Sequence, residues 1–181
     1  MTKSEIRNNL LQIRNNLNNK HKLSQDICNK LLEHISKHYP DSKIASFVSL
    51  INEVNTTTIN NSLTTYLPIV HPHLKHCMWF AKDTGQYYLN KYKIKEPIHN
   101  AKDIIAPWEL DLVIVPIVGF NQNKYRMGMG GGFYDYSFSF KKNTFLPITI
   151  GIAFDEQQNN DIIVDNHDIQ LDLIITPTRI L

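Results

Sequence analysis

The run "LDLVIVPIV", residues 110–118, constrains the fold more than any other stretch of the chain. Residues 112–115 are apolar without a break, so a strand built from them buries both of its faces, as a central strand of a parallel sheet does. Helices must then cover the sheet on both sides, and the flanking sequence supplies them. Thr2 and Glu5 have capping-box spacing, and Ile6, Leu10, Ile13 and Leu17 recur at helical intervals. A second helical period runs from about Ser24 through Ile27, Leu31 and Ile35 and stops before Pro40. Downstream, "KIASFVSL" reads as a buried strand and "TTTINNSLTTYL" as a helix leading into the strand "YLPIV". "CMWFAK" and "QYYLNKY" read as strands around the turn "DTG", residues 132–142 as a helix, and "LPITIGIAF" and "LDLIITP" as the last strands. This order predicts an α/β protein, a three-layer α/β/α sandwich around a mostly parallel central sheet with an N-terminal helical pair. At 181 residues and 42% hydrophobic content the chain is sized for one domain, residues 1–181.

The stretch "RMGMGGGFYDYSF", residues 126–138, follows the central strand and precedes a predicted helix. That places it at the carboxyl end of a strand, where open α/β sheets bind ligands. Consecutive glycines at 130, 131 and 132 allow positive φ and remove Cβ atoms, so backbone N–H groups can gather around an anion. Arg126 offers a forked donor to phosphate oxygens, and Asp135 offers a hard oxygen ligand for Mg²⁺. The competing reading is a plain glycine turn. The stretch is not a P-loop, since no Lys-Ser/Thr follows the glycines, and its spacing is not that of a dinucleotide fingerprint. Lys3, Arg7 and Arg14 fall on one edge of the first helix, an arrangement suited to a polyphosphate or to a solvated charged face.

Together, "DLVIVPIVGFNQNKYRMGMGGGFYDY", "KSEIRNNLLQIRNNL", "LINEV", "KEP" at 95–97 and "NHDIQLDLIITP" resemble the 5-formyltetrahydrofolate cyclo-ligase family in order and spacing from about residue 3 to 177. The resemblance implies MgATP-driven conversion of 5-formyltetrahydrofolate to 5,10-methenyltetrahydrofolate, with Mg²⁺ as cofactor and ATP as co-substrate. It places Lys3, Arg7, Arg126, Gly128, Gly130, Gly131, Gly132 and Tyr134 at the nucleotide, with Arg126 and Tyr134 in catalytic roles. It places Val48, Glu53, Met129, Gly130, Gly131, Gly132 and Phe133 at the folate, and gives Asp135 and Asp168 to the metal. It assigns no role to Arg14. Two positions depart from the pattern. Tyr136 stands where many members have Arg, and Gly131 where some have Lys.

Other features are read more plainly. "HPHLKHC", residues 71–77, holds three imidazoles and a thiol but no distant second ligand pair, so a polar connector is expected rather than a zinc site. "DEQQNNDIIVDNHD" lacks the spacing of a calcium loop and reads as solvated apart from Asp168. The aromatics from Phe133 to Phe140 are expected in the core or at the folate. A net charge of +2 is too mild for a nucleic-acid protein, and no apolar run reaches the roughly 18 residues of a membrane span. Two cysteines, Cys28 and Cys77, suit a reducing compartment; the expectation is a cytoplasmic monomer acting on a small molecule, with no nucleic-acid or membrane partner.

Overall fold

The structure, a computed structural model, describes residues 1–181. In chain order its elements are α1 (Lys3–Asn16), α2 (Lys20–His38), β1 (Ile44–Ala45), α3 (Thr57–Ser62), β2 (Thr65–Val70), β3 (Met78–Lys82), β4 (Tyr87–Leu89), β5 (Lys95–Pro97), β6 (Ile104–Ile105), β7 (Leu112–Pro116), β8 (Gly119–Phe120), β9 (Arg126–Met127), α4 (Phe133–Ser137), β10 (Ile148–Ile152) and β11 (Leu173–Ile175). The main sheet has the order β11-β10-β7-β1-β2-β3-β6. Its strands from β11 to β2 are parallel, and β3 and β6 add antiparallel to one edge. The hairpins β4–β5 and β8–β9 stand apart from it.

The strand period of two sorts side chains between the faces. Leu112 and Ile114 of β7 join Ile150 and Ile152 of β10 against Ile27, Leu31 and Ile35 of α2. Val113 and Val115 face the other way, with Ala45, Phe80, Ile174 and Phe138. Both faces are therefore covered and β7 is central, as its unbroken apolar run requires.

Several elements differ from the sequence expectation. The two N-terminal helices form as expected, but α1 buries Ile6 and Leu10 with Val118, Met127 and Ile162 rather than against the core that α2 covers. α2 begins at Lys20, four residues before the expected start near Ser24, with Asn19 at φ 58 and the Lys20 ammonium reaching back to the carbonyls of Arg14 and Asn15. Only Ile44 and Ala45 of "KIASFVSL" form the strand; Ser46 still donates to the Tyr66 carbonyl, and beyond it the Phe47 carbonyl is taken by the Thr56 hydroxyl and the Asn60 amide. β3 and β4 do not pair across "DTG": β3 already has β2 and β6 on its two sides, and β4 takes β5. The helix expected over 132–142 stops at Ser137 and gives way to a 3-10 segment at Ser139–Asn143. Phe138 and Phe140 both pack on the same core cluster, and one face of an α-helix cannot present residues two apart.

Candidate functional site

From β1 the chain moves to β2 on one side, then returns through β7 on the other. Between β1 and β7 the strand order reverses, which opens a crevice at the carboxyl ends of the two strands. The segment after β1 carries Val48, half-buried, and Glu53; the segment after β7 makes the β8–β9 hairpin and then the glycine loop.

Helix α1 meets three loops of this crevice with its three cations. The Lys3 ammonium sits 2.6 Å from Asp165 and 3.0 Å from Asp168. Arg7 donates through Nε to the Gly128 carbonyl at 2.9 Å, and its guanidinium lies 3.5–3.7 Å from where a Cβ on Gly130 would stand. Arg14 departs from the expected phosphate-facing edge. Only 4% exposed, it turns inward, with Nη1 3.4 Å from the Ile117 carbonyl and 3.7 Å from Glu53 Oε1. The reason is position: two turns past Arg7, the helix edge has passed the crevice rim and faces the β7–β8 connection.

In the glycine loop the left-handed residues are Gly130 at φ 96 and Gly132 at φ 67, with Gly132 capping α4; Gly131 is not among them. The five residues of α4 are too few for the dipole that a full helix would aim at an anion. The loop borders an open cavity of about 400 Å³ whose other walls include His76, Asp135, Tyr136, Ser139, Lys142 and His167. His76 Nδ1 lies 2.7 Å from the Gly131 carbonyl, so that nitrogen carries the proton. Lys142 donates to the Asn166 carbonyl across the same cavity. Met129 is exposed, and Phe133 is half-buried with its ring edge-on to His76 and Tyr92.

Beneath the loop, Arg126 ends in a network rather than in a free fork. Its Nη1 lies 3.0 Å from Asp135 Oδ1 and 3.5 Å from the Ile169 carbonyl, and its guanidinium carbon is 5.6 Å from the Tyr134 ring centre. Burial pushes the Tyr134 phenol well above its ordinary range; Arg126 opposes the shift and Glu53 adds to it. Tyr134 is therefore a protonated donor near neutrality. Burial also raises the Glu53 carboxyl, against the Leu50 N–H at 2.8 Å and the Arg14 charge, which both lower it.

The two predicted metal aspartates are held close by one peptide. Asp135 Oδ1 accepts from the N–H of Ile169, the neighbour of Asp168, at 3.1 Å. Asp168 Oδ2 accepts from Lys3 and from the Asp165 N–H at 2.8 Å. For Asp168 burial acts upward, but these partners with His167 outweigh it and hold the carboxyl below its usual range. Asp135 Oδ2 makes no hydrogen bond, Asp168 Oδ1 has only His167 Nε2 beside it at 3.6 Å, and hard oxygens of this kind suit Mg²⁺. Asp165 and His167 join Asp168 in a cluster whose ligand atoms lie within 4.8 Å of one another.

The "HPHLKHC" stretch gathers no metal set: His71 accepts from the amides of His73 and Leu74, His76 goes to the glycine loop, and Cys77 is buried and free. The sequence reading missed His76, Lys142, Asp165 and His167 as parts of the site. For Asp165 and His167 a signal existed in their nearness to Asp168; for His76 and Lys142 only the folded chain supplies one. No helix is long and apolar enough to cross a membrane.

The family model described as the 5-formyltetrahydrofolate cyclo-ligase family matches residues 1–177. The chain is 31% identical over 180 residues to 5-formyltetrahydrofolate cyclo-ligase of Haemophilus influenzae, covering 93% of this chain and 94% of that one. It is 30% identical over 144 residues to the enzyme of that name from Escherichia coli K12, covering 76% and 79%. Among solved structures, a 5,10-methenyltetrahydrofolate synthetase from Mycoplasma pneumoniae superposes with a TM-score of 0.73 at 28% identity, over 98% of this chain and 99% of that one. The synthetase of Aquifex aeolicus shares the fold, with a TM-score of 0.81 at 24% identity over 99% of this chain and 92% of that one.

Proposed function

Because the chain belongs to the 5-formyltetrahydrofolate cyclo-ligase family, whose members are ligases, we propose that residues 1–181 act as one domain converting 5-formyltetrahydrofolate and ATP to 5,10-methenyltetrahydrofolate, ADP and phosphate, with Mg²⁺. The observation that carries the reading is the meeting of Arg7 with the glycine loop, two basic or anion-receptive elements 121 residues apart in sequence. In the proposed reaction the formyl oxygen attacks the γ-phosphate, the phosphorylated carbon becomes an electrophile, and N10 closes the ring as phosphate leaves. No protein nucleophile is needed, so the protein's task is alignment and charge balance.

The side chains divide that task. Lys3, Arg7 and the amides of Gly128 and Gly130–Gly132 would hold the triphosphate. Arg126, fixed by Asp135, and the protonated Tyr134 would donate to oxygens that gain charge during transfer. Val48, Met129 and Phe133 would flank the folate, with the Glu53 carboxylate accepting from the pterin's amine and ring N–H. Asp135 and Asp168 would hold Mg²⁺ through their carboxylates. When bound there, the ion would neutralise phosphate charge. Tyr136, exposed on the cavity wall, cannot replace a cation, whereas Lys142 on the same wall can.

The test is spectroscopic. Purified protein with 5-formyltetrahydrofolate, ATP and Mg²⁺ should accumulate the methenyl product, and omission of either ATP or Mg²⁺ should stop it. A protein that binds MgATP and folate without turnover would instead be a non-catalytic binder of the same fold.

A further inference from the structure

Arg14 is the one cation of α1 to which neither the family resemblance nor the proposed chemistry gives a task, and its surroundings are unusual. Its side chain is 5% exposed and that of Glu53 8%, so the pair is withdrawn from water. Withdrawal of two charges costs several kcal/mol per ion in general, which the mutual attraction seldom repays fully. Here the geometry is not even optimised for stability: the Arg14–Glu53 separation is 3.7 Å, and Arg14 Nε is buried with no partner. A pair this costly and this loosely joined does not serve the fold alone.

The connections explain where it acts. Arg14 spans from α1 to the Ile117 carbonyl, just past β7, and to Glu53 in the segment after β1. Glu53 Oε2 is fixed by the Leu50 N–H at 2.8 Å, and Oε1 has only the Arg14 charge beside it. Lys20 of α2 reaches the neighbouring Asn52 Oδ1 at 2.8 Å but does not touch the carboxylate, and Tyr134 of α4 faces it as a neutral phenol. Arg14 is thus the only cation placed directly against Glu53.

We propose that Arg14 is a positioning residue for the folate: its guanidinium, 3.7 Å from Oε1, holds the Glu53 side chain with Oε2 on the Leu50 N–H and Oε1 open to accept a hydrogen bond from the substrate's pterin edge. The inference rests on the proposed folate role of Glu53. Arg14 touches no substrate; it acts through the carboxylate. Without the guanidinium, only the Leu50 N–H would oppose the burial of Glu53, which would take up a proton at higher pH and present a donor where the pterin needs an acceptor.

The test is the pH profile of kcat/KM for 5-formyltetrahydrofolate in wild type, R14K and R14M, with ¹³C NMR titration of the Glu53 carboxyl in the unliganded proteins. R14M should move the acid limb upward by about one pH unit or more. At pH below the limb, folate KM should rise about tenfold while the KM for ATP stays within about twofold. R14K should restore most of the profile, and the NMR titration of Glu53 should shift in parallel. An unmoved limb in folded R14M, or equal rises in both KM values, overturns the proposal. If R14M does not fold, R14M/E53Q, which removes both charges, should fold and bind ATP normally; a double variant no more stable than R14M overturns it too. Absence of turnover in the wild type would sink the proposed reaction, whereas the NMR titration still reads the Arg14–Glu53 coupling by itself.

Discussion

Gly132 gives the sharpest test of how the glycine loop is built. It sits at φ 67 as the N-cap of α4, and a Cβ added there would meet nothing within 4 Å. The cost of substitution is therefore backbone strain without a steric component. For Ala in the left-handed region that strain is about 1–2 kcal/mol. In a chain of 181 residues, at roughly 2–4 °C per kcal/mol, G132A should lower Tm by about 2–8 °C. G132N should cost less, because Asn tolerates this conformation, and G132V more, because a β-branched residue there is a genuine outlier. The KM for ATP should follow the same order, since a loop that relaxes to relieve strain moves its amides. Thermal unfolding and steady-state kinetics on the three variants measure both. G132A melting at the wild-type temperature, or G132V no worse than G132A, would refute the left-handed cap and with it the present geometry of the loop.

Three further outcomes are expected. D135N and D168N should fold but need much higher Mg²⁺ for turnover, because the amide keeps the shape and loses the charge that binds a hard cation; an unchanged Mg²⁺ titration in both would remove the metal assignment. G119A should destabilise by about 1–3 kcal/mol in chemical denaturation, since its Cβ would overlap the Leu10 methyl and lie 3.2 Å from the Gln157 carbonyl, forcing α1 outward. Burial raises the Cys28 thiol to about 11, so it should resist a disulfide reagent at pH 8 until denaturant is added; rapid labelling of the native protein would contradict its placement.

What the sequence made legible was local. The Thr2–Glu5 capping box forms as its spacing predicts, and the apolar run of β7 is central in the sheet. The glycine loop and Asp135 do lie at a carboxyl end, on the cavity. Illegible were the features decided by partners distant in the chain. Nothing in "KEP" reveals that Glu96 is buried to accept from Val70, Tyr88 and Asn90, which pins the β4–β5 hairpin beside β2. Gln157 looked solvated within "DEQQNN" but is buried, donating to the carbonyls of Ile117 and Val118. Arg14 shares a helix edge with Lys3 and Arg7, and periodicity alone cannot say that the edge dives inward by its end.

Helix α1 also has a consequence for how the protein loses activity. Its buried residues Ile6 and Leu10 belong to a small cluster of their own with Val118, Met127 and Ile162, separate from the two large clusters that hold the sheet. Yet Lys3, Arg7 and Arg14 bracket the 165–168 turn, the glycine loop and the segment after β1. The bracket is thus anchored by a smaller cluster than the sheet is, and three loops of the crevice lean on it. Turnover should disappear at a lower urea concentration than the sheet's circular dichroism, with protease cleavage after residue 16 coinciding with the first transition and not the second.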